Sequence, residues 1–124
     1  MSLELGKKLV QIKQFKKAFI VIQNLLRDKP QDFRNNFLAG QMYYGLNDLE
    51  KSYNFFQKCD EIKPNSPSAI FNLALILQAQ GKIENAKEKY LNLISINKND
   101  VKSYYGLFIL DNNNINNKHR ETLK

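Results

Sequence analysis

Reactive side chains are scarce in this sequence. One cysteine, Cys59, and one histidine, His119, are spread over 124 residues, so an internal disulfide cannot form and no Cys/His cluster is available for a transition metal. Long apolar runs are missing as well. The longest, such as Leu73 to Leu77 and Gly106 to Leu110, fall far short of the roughly 20 residues that a membrane-spanning helix needs. No Asn-x-Ser/Thr sequon occurs, and Lys7 and Lys8 interrupt the amino end before any apolar stretch can build. A secretory signal and an oxidising compartment are therefore not expected, and the cytoplasm is the expected setting. Paired carboxylates offer no acid/base site: Asp60 with Glu61, and Glu84 with Glu88, fit solvated helix faces. Gly81-Lys82 is a fragment of a phosphate loop without the preceding glycine or the strand such a loop follows. His119 sits in a polar terminal segment, where a surface role is expected. No cofactor, no metal and no enzymatic activity are anticipated.

Apolar residues make up 43% of the chain and charged residues 25%, the balance of a folded domain of ordinary size. The net charge of +7 is uneven. Residues 1–32 hold seven Lys/Arg against three Asp/Glu, and residues 33–66 hold four against four. This biases a partner toward acidic surfaces.

Self-comparison at a shift of 34 residues aligns the chain with itself. Small residues recur at Gly6, Gly40 and Ala74, and again at Ala18, Ser52 and Ala86. Bulky ones recur at Ile22, Phe56 and Tyr90, and a third apolar series is Leu25, Cys59 and Leu93, which makes Cys59 a buried, unreactive packing residue. Pro30 and Pro64 stand 34 apart, while Lys13, Asn47 and Gly81 mark a turn inside each unit. Within a unit apolar residues fall three and four apart, the period of an amphipathic helix. Each unit therefore reads as two helices, predicted at about 3–12, 15–27, 33–45, 49–62, 67–80, 83–96 and 101–110. Asp32, Ser66 and Asp100 stand at helix starts as capping residues, Pro67 suits a first helical position, and Asn47 with Glu50 has the spacing of a capping box. The polar run Asn112 to Asn117 predicts that the last helix ends near Asp111, with a further helix beginning within residues 118–124. Leu107, Phe108 and Leu110 would then lack a covering helix, as in a piece of a longer protein.

These stretches, "LGKKL…KKAF…LLRDKPQD", "AGQMY…KSYNFFQKCDEIKPNS" and "LALIL…AQGKIENAKEKYLNLISINKND", resemble the tetratricopeptide repeat family over residues 3–100. Asn36 and Ile70 stand where the family carries an early aromatic residue, and Lys98 replaces its proline. The resemblance implies an all-α fold, a right-handed superhelix of antiparallel helix hairpins. It implies a single domain over residues 1–124, with units at about 1–32, 33–66 and 67–100 and a divergent fourth at 101–124.

In such a fold the first helix of each unit lines a concave face. The positions facing it are Lys7, then Arg34, Phe37, Gln41 and Tyr44, then Phe71, Asn72, Leu75 and Gln78, then Lys102, Tyr105 and Ile109. Phe37, Phe71 and Tyr105 form an aromatic row at the repeat interval, flanked by amides and cations, which suits a peptide with apolar anchors and acidic groups. The competing reading is that these rings only pack between units. The lysine and asparagine with which some members of the family hold a terminal carboxylate are not reproduced: Leu3 and Lys7 occupy those places, although Asn72 matches a supporting asparagine. Binding of single-stranded RNA is disfavoured because the lysines crowd the first unit instead of following the groove. The expected function is thus a scaffold that binds a protein or peptide. The alternative is the amino-terminal arm of a larger bacterial sulfotransferase or glycosyltransferase, in keeping with similar arrays and with a richness in Asn, Lys and Ile that points to an AT-rich bacterial genome. Self-association through the open carboxyl-terminal end is a further expectation.

Overall fold

The computed structural model describes residues 2–123, with side chains described for residues 2–112. Seven α-helices follow one another: α1 (Leu3–Gln11), α2 (Phe15–Asp28), α3 (Phe33–Gly45), α4 (Leu49–Ile62), α5 (Pro67–Ala79), α6 (Ile83–Ile96) and α7 (Val101–Leu123). No strand occurs among the described residues. Consecutive helices pack against each other along the chain, and α1 also touches α3. Cross-helix contacts run in opposite senses: Cys59 of α4 reaches Phe33 at the start of α3, while Ser52, earlier in α4, reaches Gly40, later in α3. The helices therefore pair as antiparallel hairpins.

Small residues set the closeness of the pairs. A Cβ built on Gly40 would lie 2.8 Å from the ring of buried Phe56, so the ring packs directly on bare backbone. Ser52 adds a buried hydrogen bond, its hydroxyl donating to the Gly40 carbonyl at 2.7 Å. In the next unit Ala74 and Ala86 pack with Tyr90 in one buried cluster that also contains Ile70, Leu77, Leu93 and Leu110. Cys59 is buried, as its place beside Leu25 and Leu93 in the repeat requires, and burial pushes its thiol pKa from 9.0 up to about 12.

Turns repeat as faithfully as the core. Lys13, Asn47 and Gly81 all adopt a left-handed backbone, with φ of 61°, 60° and 78°, reversing the chain between the helices of each hairpin. That conformation corrects the capping box expected at Asn47. Asn47 is spent on the turn, and Asp48 caps α4 by accepting from the Lys51 amide at 3.2 Å. Asp32 caps α3, accepting from the amides of Arg34 and Asn35. Asp100 accepts from the Ser103 amide at 3.3 Å. Ser66 precedes α5 with Pro67 in its first turn, yet its hydroxyl makes no cap and meets that of Ser68 instead. Asn36, in place of the family's aromatic residue, is fully buried and donates to the carbonyls of Pro30 and Asp32. Asn35 beside it donates to those of Leu25 and Lys29. Together they tie the end of α2 to the start of α3.

The last helix departs from the sequence-based expectation. α7 runs unbroken through the asparagine run to Leu123, where an end near Asp111 was predicted. Residues 111–117 contain neither glycine nor proline, and asparagine costs a helix only about 0.7 kcal/mol per residue at most. Asp111 is also held by Lys87 of α6 at 2.9 Å, and this hydrogen bond is the main cause that raises the Lys87 pKa. The side chain of His119 lies outside the described residues.

Candidate binding groove

The first helices of the hairpins, α1, α3 and α5, contribute one shared depression of about 400 Å3. Lys7, Arg34, Phe37 and Gln41 line it, joined by Val10, Gln11, Phe33, Leu38 and Ser68. Its walls are mainly apolar, with two cations and two amides among the lining residues. Ser68 and Phe33 were not singled out from the sequence, although a signal existed. Ser68 stands midway between Arg34 and Lys102 at the repeat interval, and Phe33 lies one helical turn before Phe37.

None of the twelve predicted groove residues is fully buried. Lys7, Arg34, Gln41, Tyr44, Lys102 and Tyr105 are exposed, and Phe37, Phe71, Asn72, Leu75, Gln78 and Ile109 are half-buried. The aromatic row behaves by repeat rules. Phe37 meets Phe56 edge to face at 5.1 Å, and Phe71 meets Tyr90 likewise at 6.2 Å, two contacts related by the 34-residue shift. Each such pair contributes about 0.5–1.5 kcal/mol beyond the area it buries. Phe37 also stacks on Phe33 at 5.8 Å. These two rings therefore pack on the second helix of their own unit, a contact neither sequence reading named, and both stay half-buried. Tyr105 is 64% exposed.

Polar members of the set have defined partners. Gln78 accepts from the hydroxyl of buried Tyr90 at 3.0 Å, and burial, followed by the nearness of Tyr44, raises the Tyr90 pKa. Asn72 turns back on its own helix, donating to the Ser68 carbonyl at 2.8 Å. Lys102 places its ammonium 5.8 Å from the centre of the Phe71 ring, within cation–π reach. Arg34 lies 3.8 Å from Asp32, an exposed pair worth little in water. No group of three or more potential metal ligands occurs among the described residues, and none of their helices is long and apolar enough to cross a membrane.

Comparison with known proteins agrees with this architecture. A family model described as tetratricopeptide repeat matches residues 33–66 and 67–100. No curated protein sequence matches significantly. Among solved structures, the first such repeat domain of Spaghetti (RPAP3), bound to the HSP90 peptide SRMEEVD, is 15% identical and superposes with a TM-score of 0.80, covering 88% of this chain and 86% of that one. The Yersinia enterocolitica type III secretion chaperone SycD, in complex with a peptide of the translocator YopD, is 14% identical with a TM-score of 0.80 over 90% of this chain and 91% of that one. MamA from Desulfovibrio magneticus RS-1 is 25% identical with a TM-score of 0.72, over 77% of this chain and 54% of that one. The fold is thus the right-handed stack of antiparallel hairpins that the resemblance implied.

Proposed function

The chain belongs to the tetratricopeptide repeat family, and on that premise we propose that residues 1–124 act as one interaction domain, binding an extended or short helical peptide segment of a partner protein along the first helices. The observation that carries this reading is the depression lined by Lys7, Arg34 and Phe37, with half-buried Phe71 and exposed Tyr105 holding the repeat position of Phe37 in the following units. Proteins of the same fold hold short peptides, the HSP90 peptide in one and the YopD peptide in another, which supports a peptide as the ligand. The cations favour acidic groups in the ligand and the rings favour apolar anchors. A buried anchor of this kind contributes about 1.5–3 kcal/mol, so two or three of them offset the cost of association and give micromolar binding. The carboxylate-holding pair is not reproduced, so a terminal carboxylate is not the main determinant. A single buried thiol and the absence of sequons favour the cytoplasm as the setting.

Random twelve-residue peptides displayed on phage and selected against the immobilised chain test the reading. Winners should carry spaced Leu, Phe or Tyr with Asp or Glu. Their affinity should fall roughly tenfold for Tyr105→Ala, a change at an exposed ring, and further for Lys7→Glu with Arg34→Glu. Selection that enriches no peptide, or peptides indifferent to all these variants, would end the groove reading.

A further inference from the structure

We propose that the outer face of the first hairpin is a second docking surface, distinct from the groove, that takes an acidic amphipathic helix of a partner protein. A notch of about 370 Å3 opens between α2 and the end of α3, lined by Phe15, Lys16, Phe19, Ile20 and Leu46. It shares no residue with the depression on the first helices. Ile20 is 55% and Leu46 47% exposed, an unusual placement for two large aliphatic side chains next to each other. The floor is fixed, because the Phe15 ring packs against the bare backbone of Gly45, where an added Cβ would lie 2.5 Å from it.

The repeat supplies its own control. Moving 34 residues on from Lys16, Phe19, Ile20 and Leu46 gives Glu50, Tyr53, Asn54 and Gln80, and all four line an equivalent notch of about 450 Å3 between α4 and the end of α5. A further 34 on, the first three places hold Glu84, Lys87 and Glu88. The fold therefore makes this notch at successive junctions and tolerates polar and acidic residues around it. The second notch also holds Leu77 and Lys82, but with Glu50 and three amides around them, whereas the first is lined by four apolar side chains and a lysine with no carboxylate or amide.

Charge and shape define the occupant. From Leu5 to Arg27 the chain carries six Lys/Arg and no carboxylate. Lys16 lines the notch, Lys13 and Lys17 are close to it along the chain, and all three are exposed without a carboxylate partner among the described residues. Phe15 and Phe19 stand one turn apart on α2, and Lys16 and Ile20 repeat that spacing beside them, a face that accepts anchors one turn apart from a helix laid along it. Acidic residues flanking those anchors would meet the lysines and direct the encounter. The concavity favours a protein over an anionic bilayer, because a flat surface would touch the rim and leave the floor uncovered.

Fluorescence anisotropy with a labelled Leu/Ala/Glu helix, its leucines spaced one turn apart, tests the assignment on the full chain, with a Lys-for-Glu helix as the control. The acidic helix should bind and the basic one should not. Lys16→Glu with Ile20→Glu, which writes the third unit's residues into the first, should weaken binding at least roughly tenfold. It should leave the melting temperature unchanged, since the third hairpin is built with those residues. Arg34→Glu in the groove should leave binding intact. Equal binding of both helices, or retention by the double variant, overturns the proposal. Loss on Arg34→Glu alone would return the helix to the groove. Binding to phosphatidylserine vesicles that the double variant abolishes, without binding of the acidic helix, would reassign the face to a membrane surface.

Discussion

Units two and three on one side, and the last helix on the other, use the same repeat position in opposite ways. Gly40 and Ala74 leave room for the buried rings of Phe56 and Tyr90, whereas 34 residues beyond Ala74 stands Phe108, 61% exposed. Tyr104, in the place of buried Asn36 and Ile70, is likewise exposed. The small residue of α7 is Gly106 instead, and it faces backward: a Cβ there would lie 2.6 Å from the Tyr90 ring. A small residue therefore marks the side on which a helix is to be closed. Gly40 closes α3 toward its own partner while Gly45, at the far end of α3, meets Phe15 of the hairpin before it, and α7 has only the backward contact through Gly106 while turning large aromatic side chains outward.

The sharpest way to break this contrast is to exchange bulk between the two sites. Gly40→Leu should overpack against Phe56 and destabilise by about 3 kcal/mol, the upper part of the usual range for such insertions. Phe108→Leu should change stability by less than about 0.5 kcal/mol. Thermal unfolding followed by circular dichroism separates them, and equal losses at the two positions would remove the directional reading of the small residues. Light scattering tests the end-to-end self-association expected from the sequence: a concentration-independent monomer mass for the unaltered chain would dispose of it.

Cys59 extends the comparison to a series whose other members, Leu25 and Leu93, cannot ionise. Its folded pKa of about 12 lies above its ordinary 9.0 because burial disfavours the thiolate. Below pH 9 both folded and unfolded chains hold the thiol proton, and this group then favours neither. Between pH 9 and 12 the unfolded chain releases the proton and the folded one keeps it, so stability falls as pH rises through that window. A Cys59→Ser control removes the thiol but buries a hydroxyl, so Cys59→Ala is the better reference, and its stability should decline less over the same window. Alkylation by iodoacetamide at pH 8 should proceed only as fast as the chain unfolds. Rapid labelling of the native chain would contradict the buried placement.

Ser52 differs from Ala18 and Ala86, its repeat equivalents, by one hydroxyl that donates to Gly40 inside the hairpin. Ser52→Ala should lower stability by about 1 kcal/mol, the net worth of a typical buried hydrogen bond. No change in the melting temperature of Ser52→Ala would mean that the bond adds nothing to stability.

Most of the fold was legible because its demands recur. A left-handed residue is needed at Lys13, Asn47 and Gly81, a small one at Gly6, Gly40 and Ala74, and the 34-residue shift exposes both. Helical angle and the repeat likewise put Lys7, Arg34, Phe37 and Gln41 on one side, and these four line one depression, while the other eight positions expected there do not line it. What escaped notice depends on reach or on offset. Asn36 looks like a defect in the pattern until its amide is seen bridging to Pro30 and Asp32 across the turn. The capping role passed from Asn47 to Asp48 because one residue cannot both reverse the chain and cap the next helix. Asparagine's turn preference suggested an end at Asp111, while the absence of glycine and proline and the Lys87 contact let α7 continue. The basic, apolar notch is visible only when the second helices of successive units are compared residue by residue.

Capping gives the smallest and most local contrast. Asp32 and Ser66 stand one repeat apart, at the starts of α3 and α5, but only Asp32 accepts from the helix amides, at 2.9 Å from Arg34 and 3.2 Å from Asn35. Asp32→Ala should therefore cost about 1 kcal/mol. Ser66→Ala should cost no more than a few tenths, because the Ser66 hydroxyl makes no cap and Pro67 removes one amide from the set that needs a partner. Amide exchange offers the residue-level check. The amides of Arg34 and Asn35 should exchange faster in Asp32→Ala, while those of the first turn of α5 should be unaltered by Ser66→Ala. Equal acceleration at both sites would mean that Ser66 caps its helix in solution, and the two helix starts would then be physically alike.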